Sequence, residues 1–154
     1  MTIQLSEHFS LDEATHSDTA IRQGIDNTPS TLQLENMKAA AVGMEKVRAL
    51  LGKGITVNSW LRLPAVNIAV GGSGKSSHMD GWAIDFTCSG FGNPYAIAKA
   101  IEASGIKYDQ MIHEFGRWVH ISFAPEMRQQ KLTIFKPENA YKAGILTEEE
   151  YHKA

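Results

Sequence analysis

Between Ser30 and Gly52 the chain spells out one helix together with both of its ends. Ser30-Thr31-Leu32-Gln33 is a capping box, in which a hydroxyl and an amide side chain satisfy the first free backbone N–H groups. Leu34, Met37, Ala41, Met44, Val47 and Leu51 then recur at helical spacing, and Gly52 follows as a stop. This spacing predicts a core helix of about 20 residues.

The remaining signals are shorter. Ser10-Leu11-Asp12-Glu13 is another capping box, with Phe9 before it as a staple, and predicts a helix from Leu11 to about His16. Gly24, Asp26, Asn27 and Pro29 make residues 17–29 read as mostly loop. Ile55–Asn58 reads as a short strand, the glycine-rich residues 70–75 as a loop, and Ala83–Cys88 as an alternating strand. Asn93-Pro94 opens a helix that carries Ile97, Ala98 and Ile101 and stops at Gly105. Tyr108–Glu114 and Trp118–Phe123 read as two strands of a hairpin around Phe115-Gly116-Arg117. The tail from Pro125 is polar, and Thr147-Glu148-Glu149-Glu150 reads as the start of one last short helix. Helices mixed with a small, mostly antiparallel sheet make the class α+β.

With 154 residues the chain suits a single core. Its net charge is −2 with both signs interspersed, which argues against a nucleic-acid partner. The one cysteine, Cys88, excludes an intrachain disulfide. Cys88 falls on an apolar strand face and reads as a small hydrophobe. Met1–Glu7 has neither a basic nor an apolar leader region, and no run approaches the ~20 apolar residues of a membrane span. The expectation is cytoplasmic synthesis without a signal peptide and without membrane insertion. A substrate outside the cytoplasm then requires separate delivery.

Candidate chemistry lies on two of the strands. In 83–88, Ile84, Phe86 and Cys88 share the core face, so Asp85 points the other way beside Ala83 and Thr87. In 118–123, Val119, Ile121 and Phe123 face the core, so His120 points away with Trp118 and Ser122. His78 precedes the first of these strands on a glycine-containing turn and can fold back beside Asp85. Two histidines and a carboxylate leave a fourth position open, as catalytic zinc sites do. The alternative from spacing alone is a pair of ordinary strand histidines. His8, His16, His113 and His152 receive no metal role.

Ser77-His78, Gly81, Ala83 and Asp85 match His-x-x-Gly-x-Ala-x-Asp, and Trp118-Val119-His120 matches a Trp closely preceding a histidine. In these segments the chain resembles the zinc D-Ala-D-Ala carboxypeptidase family, which also holds peptidoglycan endopeptidases and phage endolysins. The likeness extends to His8-Phe9 with Glu13, Gly24-Ile25-Asp26-Asn27-x-Pro29, Val66-Asn67 with Gly71-Gly72-Ser73, and Tyr108–Ile112 with Glu114. It covers roughly residues 5–128, which suggests a peptidase-like domain over 1–128 and a partly helical extension over 129–154.

The resemblance implies a DD-peptidase/hedgehog-like fold and a Zn2+ cofactor held by His78, Asp85 and His120. It implies hydrolysis of a peptide bond in peptidoglycan, with zinc polarising the scissile carbonyl and a carboxylate moving the water's proton. Glu114 is the candidate base. A three-residue loop sets it opposite Trp118 on the face of His120, whereas a two-residue Gly116-Arg117 turn would set it on the wrong face. Many family members carry the acid three residues before the last histidine, where this chain has Arg117. Arg62 keeps the arginine of the family's Ser-Gly-Tyr-Arg-Ser/Thr-Pro within Ser59-Trp60-Leu61-Arg62-Leu63-Pro64. It is the candidate for a substrate carboxylate or an oxyanion. Ser77 and Gln110 are further substrate-contact candidates, and Ser76 and Asp109 are weaker ones of the same kind. Two functions compete: a phage- or prophage-encoded lysis or wall-penetration enzyme, and an inactive zinc-binding structural or wall-binding module of a phage particle. Residues 143–151 resemble a short helical oligomerisation motif or a frayed terminus, so the oligomeric state stays open.

Overall fold

The computed structural model describes residues 3–154; Met1 and Thr2, the first two residues of the Met1–Glu7 segment that reads as leaderless, lie outside the described residues. Helices α1 (Leu11–Thr15), α2 (Asp18–Gln23), α3 (Thr31–Leu51), α4 (Pro64–Ala69), α5 (Pro94–Ser104) and α6 (Glu148–Lys153) accompany one six-stranded sheet. Its strands are β1 (Thr56–Ser59), β2 (Ala83–Thr87), β3 (Gln110–Glu114), β4 (Trp118–Ser122), β5 (Gln130–Ile134) and β6 (Lys142–Ala143). The order across the sheet is β1-β2-β4-β3-β5-β6, antiparallel throughout except for the β3–β5 pair. The class is α+β, as the element order predicts. No helix among the described residues is long and apolar enough to cross a membrane.

The long helix forms where its caps place it. Ser30 Oγ accepts from Gln33 N–H, Gln33 returns the bond to Ser30 N–H, and Gly52 ends the helix at φ 66°. Met37, Ala40, Ala41, Met44, Val47 and Leu51 are buried, as are Ile97, Ala98 and Ile101 of α5. Both helices belong to one core with Ile84, Phe86, Met111, Val119 and Ile121 from one face of the sheet. Each of the larger of these side chains, from valine upward, contributes roughly 1.5–3 kcal/mol when removed from water. Because a strand alternates, burying that set turns Asp85, His120, Ile112 and Glu114 to the opposite face.

Two stretches differ from the sequence-based expectation. Residues 17–29 contain α2, capped by Ser17 Oγ on Ala20 N–H and closed by Gly24 at φ 65°. The signals are present, but six residues are too few for a helix to form alone, so tertiary contact decides the matter. The polar tail holds two further strands: β5 lies parallel to β3, and β6 closes on β5. The 128/129 boundary expected between domain and extension falls just before β5. Tyr151 of α6 is fully buried, and its hydroxyl accepts from Ala140 N–H and donates to Ala140 O.

Candidate metal centre and catalytic cleft

Asp85 and His120 stand directly opposite each other on β2 and β4, and Ile112 stands opposite His120 on β3. His78 sits on a 3₁₀ turn, Ser77–Met79, that folds over this face. The turn is fixed from outside by three bonds: Gln33 donates to Met79 O, Asn36 to Asp80 O, and the Trp60 indole to Gly81 O. Gly81 follows at φ 87°, where an added Cβ would meet Met37, so the sharp return into β2 requires glycine.

The structure brings His78, Asp85 and His120 together. One ligand atom from each lies within 4.8 Å of the other two. His78 Nε2 is 3.2 Å and His120 Nδ1 is 2.9 Å from Asp85 Oδ1. Zinc–ligand bonds of about 2.0–2.2 Å at tetrahedral angles set donor atoms roughly 3.3 Å apart, so the spacing and the donor set fit that ion. The tautomer of His78 is decided by its other nitrogen. Nδ1 is 2.7 Å from Trp60 O, a carbonyl that only accepts, so Nδ1 carries the proton and Nε2 is left with its lone pair toward Asp85.

Burial alone would raise the Asp85 pKa, but His78 and His120 outweigh it and hold the carboxylate well below its ordinary range. Burial pulls His78 down, against the attraction of Asp85. Burial works against His120 too, yet Asp85 and Glu114 leave it raised. Glu114 is pushed up to about 7, first by burial and then by the charge of Asp85.

The hairpin takes the three-residue loop, with Phe115 at φ 57° and Gly116 at φ 67°, and Glu114 pairs with Trp118. Glu114 therefore shares the face of His120. Its Oε2 accepts from Trp118 Nε1 at 2.7 Å, which leaves Oε1 available. Arg62 lies on the same cleft; Nη2 donates to Ser76 Oγ at 3.3 Å, and Nε is buried with no hydrogen-bond partner among the described residues. Burial lowers its pKa against the charges of Asp85 and Glu114. Asn27 holds this segment in place. Its Nδ2 donates to Thr15 O and Leu61 O, while its Oδ1 accepts from Leu63 N–H.

The cleft encloses about 610 Å³, and its walls include Arg62, Ser77, Gln110, Glu114 and the three clustered side chains. Ser77 and Gln110 thus reach it, although Gln110 Nε2 is engaged by Gln130 Oε1 at 2.8 Å. Asp109 does not line it; it is buried and bonded to Arg128. Sequence reading took Ser76 only as a weak candidate, and it missed the holding role of Asn27, the Trp60 carbonyl, the Trp118 indole bond, Arg128 and Tyr141. The pairing of Glu114 with Trp118 across a short hairpin was a signal for the indole bond; a backbone carbonyl leaves no such trace. A second group, Glu7, His8 and Glu45, also lies within 4.8 Å, but it is on the surface and Glu45 is already bonded by Ser6 and His8.

Over residues 7–122 the chain matches the family model described as Peptidase M15. The search of curated proteins returned no match to this chain. The matched span contains α1 through β4 and all of the clustered side chains; β5, β6 and α6 follow it.

Proposed function

The chain belongs to the Peptidase M15 family of zinc D-Ala-D-Ala carboxypeptidases, and from that membership we propose that it is a zinc metallopeptidase hydrolysing peptide bonds of bacterial peptidoglycan, in the stem peptide or the cross-link. One observation carries the reading: two imidazole nitrogens and a carboxylate oxygen converge in a cleft that also holds Glu114 and Arg62. Within that family we propose a phage- or prophage-encoded lysis or wall-penetration enzyme, a role that occurs among its members beside the carboxypeptidases.

His78 Nε2, His120 Nδ1 and Asp85 Oδ would hold the zinc. Bound there, the ion supplies polarisation of the scissile carbonyl and a lowered pKa for water. Glu114 Oε1 accepts the proton of the attacking water and returns it to the leaving amine. The Trp118 indole holds Glu114 Oε2, so the carboxylate keeps its aim during both transfers. Arg62 presents an incompletely bonded guanidinium to the cleft, suited to a substrate carboxylate.

The test is mass spectrometry of purified muropeptides digested with and without added zinc. Products that require zinc, and that vanish with Glu114→Gln, support the peptidase and identify the bond. Stoichiometric zinc with no new amino groups from any wall type would instead favour an inactive binding module.

A further inference from the structure

Arg128 stands on the cleft wall, beyond the residues that the family model matches. Its guanidinium is fixed before any ligand arrives. Nε donates to Asp109 Oδ1 at 2.9 Å and Nη2 to Oδ2 at 2.8 Å, and the Arg128 backbone N–H also donates to Oδ1 at 3.1 Å. The Asp109 side chain is 3% exposed, whereas that of Arg128 is 54% exposed. Asp109 takes the Nε–Nη2 edge of the guanidinium. The Nη1–Nη2 edge remains, and Nη1 makes no hydrogen bond among the described residues.

The backbone on either side is held in an unfavourable form. Met127 has φ 45° and Gln129 φ 57°, left-handed conformations that side-chain-bearing residues rarely adopt. The segment is clamped there: Gln129 N–H donates to Tyr108 O, Gln129 Oε1 accepts from Tyr108 N–H, and Gln130 N–H donates to Asp109 O. Such strain flanking one displayed arginine is the pattern expected of a functional contact.

Sheet order places Arg128 relative to the chemistry. It immediately precedes β5, which is two strands from the His120 strand, while Arg62 belongs to the β1–β2 side. Two strand spacings are roughly 10 Å, or about three residues of extended peptide. A peptide crossing the cleft with its scissile bond at the histidines therefore meets Arg62 on one side and Arg128 on the other.

Resting on the peptidase reading above, we propose that Arg128 is a specificity residue that binds a free carboxylate of the substrate peptide, roughly two to three residues from the scissile bond on the side away from Arg62. A structural arginine that only neutralises Asp109 would treat all substrates alike, so the test compares two. One synthetic stem pentapeptide keeps its isoglutamyl and diaminopimelyl carboxylates free; the other has both amidated. The full zinc-loaded chain should cleave the free acid with at least about tenfold higher kcat/KM, the difference lying in KM. Arg128→Gln should erase that preference with the amidated peptide changed less than about twofold, and Arg128→Lys should keep part of it. The double variant Asp109→Asn with Arg128→Gln, which buries no lone charge, should behave as Arg128→Gln does. Calorimetric binding of both peptides to zinc-loaded Glu114→Gln should show the same order.

Equal losses on both peptides in the double variant, or a preference that survives it, would overturn the proposal and leave the peptidase reading standing. A wild-type protein that neither binds nor cuts either peptide removes the peptidase reading, and this inference with it.

Discussion

Glu114 shows how a single residue acquires its chemistry from its surroundings. At the end of β3 it is half-buried beside Asp85, and both influences favour the protonated form, so its pKa rises to about 7. Two predictions follow from its position. Glu114→Gln keeps the shape and the Trp118 bond but removes the proposed base, so kcat should fall by about 10²–10⁴ with zinc content unchanged by metal analysis. The second concerns stability in the metal-free protein. A carboxyl raised in the folded state binds its proton more tightly there than in the unfolded chain. Its contribution is complete below the unfolded value of 4.5 and is lost as pH climbs through about 7. Urea denaturation of the chelated protein should therefore show Glu114→Gln gaining about 2–3 kcal/mol on wild type between pH 4.5 and pH 8. A constant difference across that range would refute it.

Among the elements, α3 carries an unusual residue in its middle. Gly43 ordinarily costs a helix about 1 kcal/mol relative to alanine. Here a Cβ on Gly43 would lie 2.7 Å from Phe123 Cζ and closer still to Cε1 and Cδ1. Phe123 is itself buried, directly after β4, so its ring has little room to retreat. Overpacking outweighs propensity, and Gly43→Ala should destabilise by about 1–2 kcal/mol in urea titration rather than stabilise. A gain in stability would mean that the ring moves freely. Since β4 also carries His120, the same variant should weaken zinc binding.

Across the whole molecule, the proposed metal ties the Ser77–Met79 turn to two strands that are distant in sequence. Binding only to the folded state, it should stabilise by about 4 kcal/mol when free zinc is a thousandfold above Kd. For a chain of this size that is roughly 8–16 °C in Tm. Scanning calorimetry should show that rise on adding zinc, its loss with chelator, and its absence in His120→Ala. An unchanged Tm in the wild type would argue against a metal shared by these three side chains. The tail takes part in the same body: β5 and β6 extend the sheet, and the alternation that turns Lys142 toward Tyr151, 4.3 Å above the ring, leaves Tyr141 on the cleft wall.

Elements whose reasons are local were legible in the residues. The caps of α3, the Asn93-Pro94 start of α5 and the alternation of β2 and β4 each follow from neighbours a few positions away. So was the face on which Asp85 and His120 lie, because burial of Ile84, Phe86, Val119 and Ile121 settles it; the side taken by Glu114 waited on the length of the hairpin loop. What only the tertiary structure decided depends on groups distant in sequence. Trp60 lends a backbone carbonyl to select the His78 tautomer, and Asn27 pins the arginine segment. The short α2 needed packing to exist. Polar strands β5 and β6 formed because β3 offered an open edge whose backbone groups required partners. Local periodicity records which side of an element is buried; it holds no record of which distant backbone atom will come to rest beside it.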